Sequence, residues 1–118
     1  MEILGATLRI CVEDMESAVP FYERLAGGTA LRSERGGVRV AAIGCFLLMS
    51  GDPAQLELLR KIAATIAVKD VDATHRVLTE LGARVIAGPV PTPAGRTLIA
   101  MHPDGSVYEY ADRNLPTL

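Results

Sequence analysis

Polar and apolar residues alternate from Ala6 to Val12. Leu8, Ile10 and Val12 fall to one side and Thr7, Arg9 and Cys11 to the other, which is the period of a β-strand. A shift of 56 residues finds the pattern again, with Ile10, Val12 and Asp14 falling on Ile66, Val68 and Asp70, and Leu25 on Leu81. The second copy of the strand runs from Ile62 to Val68, with Ala63, Thr65 and Ala67 sharing one face. After Asp70, Val71, Thr74, Val77, Leu78 and Leu81 recur at spacings of three and four. That spacing predicts an amphipathic helix capped by Asp70 and stopped at Gly82. Asp14 likewise sits where an N-cap belongs, and after it Met15, Ala18, Tyr22 and Leu25 form a similar stripe that stops at Gly27-Gly28. Pro20 fits this helix if Ser17 is the working cap, because proline is tolerated in the first turn.

Three strand candidates follow each helix: Thr29–Arg35, Val38–Ile43 and Cys45–Met49, then Arg84–Pro89, Arg96–Met101 and Val107–Ala111. Gly36-Gly37, Gly44 and the Asp-Gly of His102-Pro103-Asp104-Gly105 mark turns. Asp52-Pro53 opens a short linking helix, and the proline-rich stretch Gly88 to Gly95 is expected as a stiff exposed loop. The pattern predicts an α+β fold in which βαβββ occurs twice. One domain covers 1–118, with a first module of about 1–51, a linker of about 52–61 and a second module of about 62–118. Neither module can bury its sheet face alone, so the sheets are expected to curl round a cleft.

Composition narrows the function classes. Of 118 residues, 49% are hydrophobic and 22% charged, which excludes a disordered chain. Net charge is -2 and no Lys/Arg run exceeds two residues, so neither nucleic acid nor a membrane surface is an expected partner. The longest apolar run, Val40 to Met49, has ten residues where a membrane span needs about 20. No basic stretch precedes an apolar one at Met1–Gly5, and there is no CxxC. Cys11 and Cys45 sit in strand-like contexts and read as buried reduced thiols of a cytoplasmic protein. With two Phe, three Tyr and no Trp, the chain is poor in rings that could stack on a large planar ligand.

Three stretches carry a family resemblance. They are Val12-Glu13-Asp14-Met15-Glu16-Ser17-Ala18-Val19-Pro20-Phe21-Tyr22 with Leu25 and Gly27, Val68-Lys69-Asp70-Val71-Asp72-Ala73 with Leu81-Gly82-Ala83, and His102-Pro103-Asp104-Gly105 with Glu109. Taken with the repeat, the chain resembles the vicinal oxygen chelate superfamily, the glyoxalase and bleomycin-resistance fold. Metal-dependent members hold a divalent cation with two positions on the first strand and two on the last strand of the modules. The resemblance places those positions at Thr7, Ala63, Glu109 and Leu48, the last give or take one residue. One strong ligand then remains of four, which implies a lost metal site and no cofactor. Single-domain relatives are commonly homodimers, so a homodimer is expected here.

The strand pattern and the resemblance together direct Thr7, Arg9, Cys11, Phe46, Leu48, Thr65, Met101 and Glu109 towards a ligand. Arg9 and Glu109 read either as a charged pair at a pocket floor or as a structural ion pair. Tyr108 and Tyr110 should pack against a helix. His75 and His102 read as solvated, and Arg32, Arg35, Arg39 and Arg96 as a solvated rim. Two functions follow, beside a blander reading as an accessory domain that acts through its dimer surface. One is a metal-free protein that binds a small molecule in the inter-module cleft, for resistance or sequestration. The other is a metal-independent isomerase or lyase acting on a small acid or carbonyl compound, with Glu109 as the catalytic base. The shortage of rings favours a small polar or aliphatic ligand over a large planar drug.

Overall fold

The computed structural model describes residues 1–92 and 95–112. In chain order the elements are β1 (Ile3–Cys11), α1 (Met15–Ala26), β2 (Leu31–Arg35), β3 (Val38–Ile43), β4 (Phe46–Gly51), α2 (Pro53–Leu59), β5 (Ile62–Val68), α3 (Val71–Glu80), β6 (Arg84–Thr92), β7 (Gly95–Met101) and β8 (Val107–Asp112). Two compact units result: Thr7–Lys61, and Met1–Ala6 together with the chain from Ile62 onward. We call them the first and second modules.

Both modules use the same pairing. In the first, β1 runs parallel to β4, β4 antiparallel to β3, and β3 antiparallel to β2. In the second, β5 runs parallel to β8, β8 antiparallel to β7, and β7 antiparallel to β6. Between the two parallel strands of each module the chain runs through a helix and two antiparallel strands, the long crossover that parallel pairing requires.

Each helix covers one face of its sheet. α1 buries Met15 and Val19 against Ala41, Ile43 and Leu48, with Ala18, Tyr22, Ile10, Val12 and Phe46 around them. α3 buries Val71 and Leu78 against Val68, Leu98, Ala100 and Tyr110. The short α2 packs on the other face of the first module, where Leu56 meets Val38 and Met49, with Cys11, Val40 and Leu59 at the edge. Leu48 and Met49 therefore belong to different cores, because successive strand residues point to opposite faces.

Several sequence expectations need correction. Asp14, not Ser17, caps α1: its Oδ1 accepts from the Glu16 N–H at 3.1 Å, and Ser17 Oγ donates to Asp14 Oδ2 at 3.0 Å. Pro20 accordingly lies inside the helix. Leu25 and Leu81 are not buried: Leu25, in the last turn of α1, and Leu81, just past α3, are 60% and 69% exposed. The proline-rich stretch is not a loop up to Thr92, since β6 continues through it with shifted register; Pro93 and Ala94 lie outside the described residues. Neither cysteine is fully buried: Cys45 is exposed in the turn after Gly44, and Cys11 is half-buried, at the edge of the core that Leu56, Val38 and Met49 form.

Candidate functional site

The face of the second module away from α3 carries three of the eight candidate residues, Thr65, Met101 and Glu109. On β8, Tyr108 and Tyr110 pack with the α3 core, so Val107, Glu109 and Ala111 point the other way. Glu109 stands opposite Thr65 on β5 and opposite Ile99 on β7. Thr65 is only 2% exposed, and its Oγ1 donates to Glu109 Oε1 at 2.9 Å. Met101 lies one step along the same face, opposite Val107. Thr97 and Ile99 complete this surface: a half-buried carboxylate held by a buried hydroxyl, flanked by aliphatic side chains.

In the first module the corresponding register pairs Arg9 with Leu47, not with Leu48. Arg9 is half-buried, and its Nη2 donates to Met49 Sδ at 3.5 Å. Thr7 and Cys11 alternate with Leu8 and Ile10 as the sequence pattern requires, and Cys11 pairs with Met49 beside Leu56 of α2. The two remaining candidates lie elsewhere. Leu48, fully buried, and Phe46 belong to the α1 core, where the Phe46 ring meets Tyr22 at a centroid distance of 4.9 Å. A register slip of one residue explains both misplacements, since it turns every side chain to the opposite face. The 56-residue shift holds for the first strands but not for the last. The second module's β6 has nine residues where β2 has five, which moves the later elements out of step.

His102 is not a solvated turn residue. Its ring stacks on Tyr108 at 4.5 Å, and Nε2 lies 2.7 Å from the hydroxyl of Tyr110. Burial pushes the Tyr110 phenol above its ordinary pKa. The contact lies on the α3 side of the sheet, and sequence alone gave no signal for it beyond the two-residue spacing of Tyr108 and Tyr110. His75 is half-buried on α3. Of the arginines, Arg32 and Arg39 both donate to Glu16 Oε1, at 2.7 and 2.9 Å, and Arg96 pairs with Asp72. The Arg35 side chain lies outside the described residues.

The residues that stand at the family's metal positions do not fit a divalent cation. Thr7 offers a neutral hydroxyl, Ala63 and Leu47 offer no donor atom, and Glu109 alone brings a carboxylate. Among the described residues no three His, Cys, Asp or Glu side chains gather as a metal would require.

The comparisons agree with this architecture. The model of the Glyoxalase/Bleomycin resistance protein/Dioxygenase superfamily matches residues 4–110. The chain belongs to that superfamily. An uncharacterized protein from Methanosarcina mazei is 38% identical, with a TM-score of 0.90 over 97% of this chain and 95% of that one. A Streptomyces coelicolor methylmalonyl-CoA epimerase, solved with 2-nitronate-propionyl-CoA, is 21% identical, with a TM-score of 0.71 over 96% of each chain. A methylmalonyl-CoA epimerase in complex with methylmalonyl-CoA and NH4+ is 22% identical, with a TM-score of 0.68 over 92% of each. At those identities the epimerases share the fold with this chain. No curated protein matches the sequence. Among the described residues no helix is long and apolar enough to cross a membrane.

Proposed function

We propose that the chain is a metal-independent member of the superfamily that binds a small polar or aliphatic molecule, in the manner of a sequestering or resistance protein, as a cytoplasmic homodimer. The observation that carries this reading is Glu109. It stands at a position where metal-dependent relatives place a ligand, yet here its carboxylate is held by the Thr65 hydroxyl and bordered by Ile99 and Met101. A carboxylate in such a setting is suited to accept an N–H or O–H from a ligand, while the aliphatic neighbours gain by covering its apolar part.

A panel of metabolites and antibiotics screened by melting temperature tests this. A true ligand raises the melting temperature in proportion to RT ln(1 + [L]/Kd), about 2.7 kcal/mol at a hundredfold excess over Kd. Glu109→Gln should leave the unliganded melting temperature nearly unchanged and shrink the ligand's effect. The purified protein should also carry no stoichiometric divalent metal, and a chelator should leave its melting temperature where it was. Metal at one equivalent per chain would overturn the proposal.

A second reading makes Glu109 a general base of an isomerase or lyase acting on a small acid or carbonyl compound. The buried hydroxyl that holds one carboxylate oxygen favours it, because a base has to be oriented as well as present. On this reading Glu109 removes the proton from the carbon next to the carbonyl. If the compound that binds is also converted, and Glu109→Gln keeps its affinity but abolishes turnover, the enzyme reading replaces the binding one.

A further inference from the structure

Thr65 and Glu109 face each other across the parallel pair β5–β8, and the first module has the same pair in Arg9 and Leu47 across β1–β4. The fold is thus built equally well with a guanidinium beside a leucine at this register. Pairing the strands does not require a hydroxyl beside a carboxylate. Thr65 is 2% exposed, so its Oγ1 meets little water, and its bond of 2.9 Å goes to a charged acceptor. Hydrogen bonds to charged groups are the stronger kind, and a buried hydroxyl is costly to leave without a partner.

We infer that Thr65 is a positioning residue: its hydroxyl sets the orientation in which Glu109 presents its carboxylate to whatever this face binds. The inference rests on the reading of Glu109 as the group that meets the ligand, and it changes the role of Thr65 from ligand contact to support. Threonine suits the task because its methyl group fills space in the strand as valine would, while β-branching restricts the hydroxyl to few rotamers. Serine keeps the hydroxyl without that restriction. Valine keeps the shape without the hydroxyl.

The test needs no ligand. In protein labelled with ¹³C, the side-chain carboxyl resonance of Glu109 is identified by its loss in Glu109→Gln, and then compared at neutral pH in Thr65→Val and Thr65→Ser. The expected result is a resonance displaced by more than its linewidth in Thr65→Val and restored close to the wild-type position in Thr65→Ser. A merely structural threonine would alter the melting temperature without this pattern. Thr65→Ala, which also removes the hydroxyl, replaces Thr65→Val should the valine variant fold poorly. A resonance unmoved in a folded variant without the hydroxyl, or moved as far by serine as by valine, overturns the inference. With a compound from the melting panel in hand, Thr65→Val should weaken its binding about tenfold and Thr65→Ser much less. A panel that yields no binder would count against the proposed function and leave the carboxyl resonance to decide the role of Thr65.

Discussion

Leu47 and Leu48 are identical in chemistry and adjacent in the chain, yet the pleat gives them different work. Leu48 is fully buried in the core under α1, and Leu47 lies on the opposite face, in register with Arg9. Leu48→Ala should therefore destabilise by about 2–5 kcal/mol, as a core truncation does. Leu47→Ala should cost only about 1 kcal/mol, the ordinary size of a substitution outside a core. Urea unfolding of both variants measures the pair, and equal losses would contradict the assigned faces. Sequence reading placed Arg9, Thr65, Met101 and Glu109 on their strands correctly because alternation alone fixes a face within one strand. It misplaced Phe46 and Leu48 because β4 is apolar at successive positions, and a continuous apolar run has no period from which to read a face.

At the scale of elements, caps and ion pairs tie helices to strands. Asp70 accepts from the Asp72 and Ala73 N–H groups, and Asp112 accepts from Val71 N at 3.1 Å and Arg96 N at 2.8 Å, joining α3 to β7 and β8. In the first module Glu16 joins α1 to β2 and β3 through Arg32 and Arg39. The hydrogen bond and charge of Arg32, with a smaller share from Arg39, hold the Glu16 carboxyl below its ordinary value of 4.5. Because the folded-state value is depressed, the stabilisation is present above the unfolded value and is lost as pH falls through the folded one. Glu16→Gln should thus be less stable than wild type at neutral pH. The gap between their melting temperatures should close as pH falls below the ordinary carboxylate range, and a gap constant with pH would show that the pair does not contribute. These ties were only half legible in the sequence. Caps can be read locally, and Asp14 and Asp70 were, whereas the partners of Glu16 lie 16 and 23 residues away and depend on the register of β2 and β3.

The whole chain was the most legible scale, for a physical reason. The βαβββ repeat leaves a trace in strand, cap and helix alike that no single site residue leaves. Uncovered apolar surface in turn bears on association. Large apolar side chains stay exposed in both modules: Ile3, Leu4, Ile86 and Val90 in the second, and Leu8, Phe21, Leu25 and Leu31 in the first. Scattered exposed leucines are ordinary, but Phe21 and Leu25 stand one helical turn apart on α1 and, with Pro20 and Arg24, line a shallow depression on its surface. Apolar ridges of this kind gain by being covered, and a second copy of the chain related by a two-fold axis covers the same patch on both partners at once. Equilibrium ultracentrifugation at micromolar concentration should accordingly return twice the chain mass. Introducing a charge by Leu25→Glu, at a residue already 60% exposed, should shift the balance towards monomer with little change in intrinsic fold if α1 lies in the contact. A wild-type protein that sediments as a monomer would refute the dimer. A dimer indifferent to Leu25→Glu would move the contact away from α1 and onto the other exposed strands.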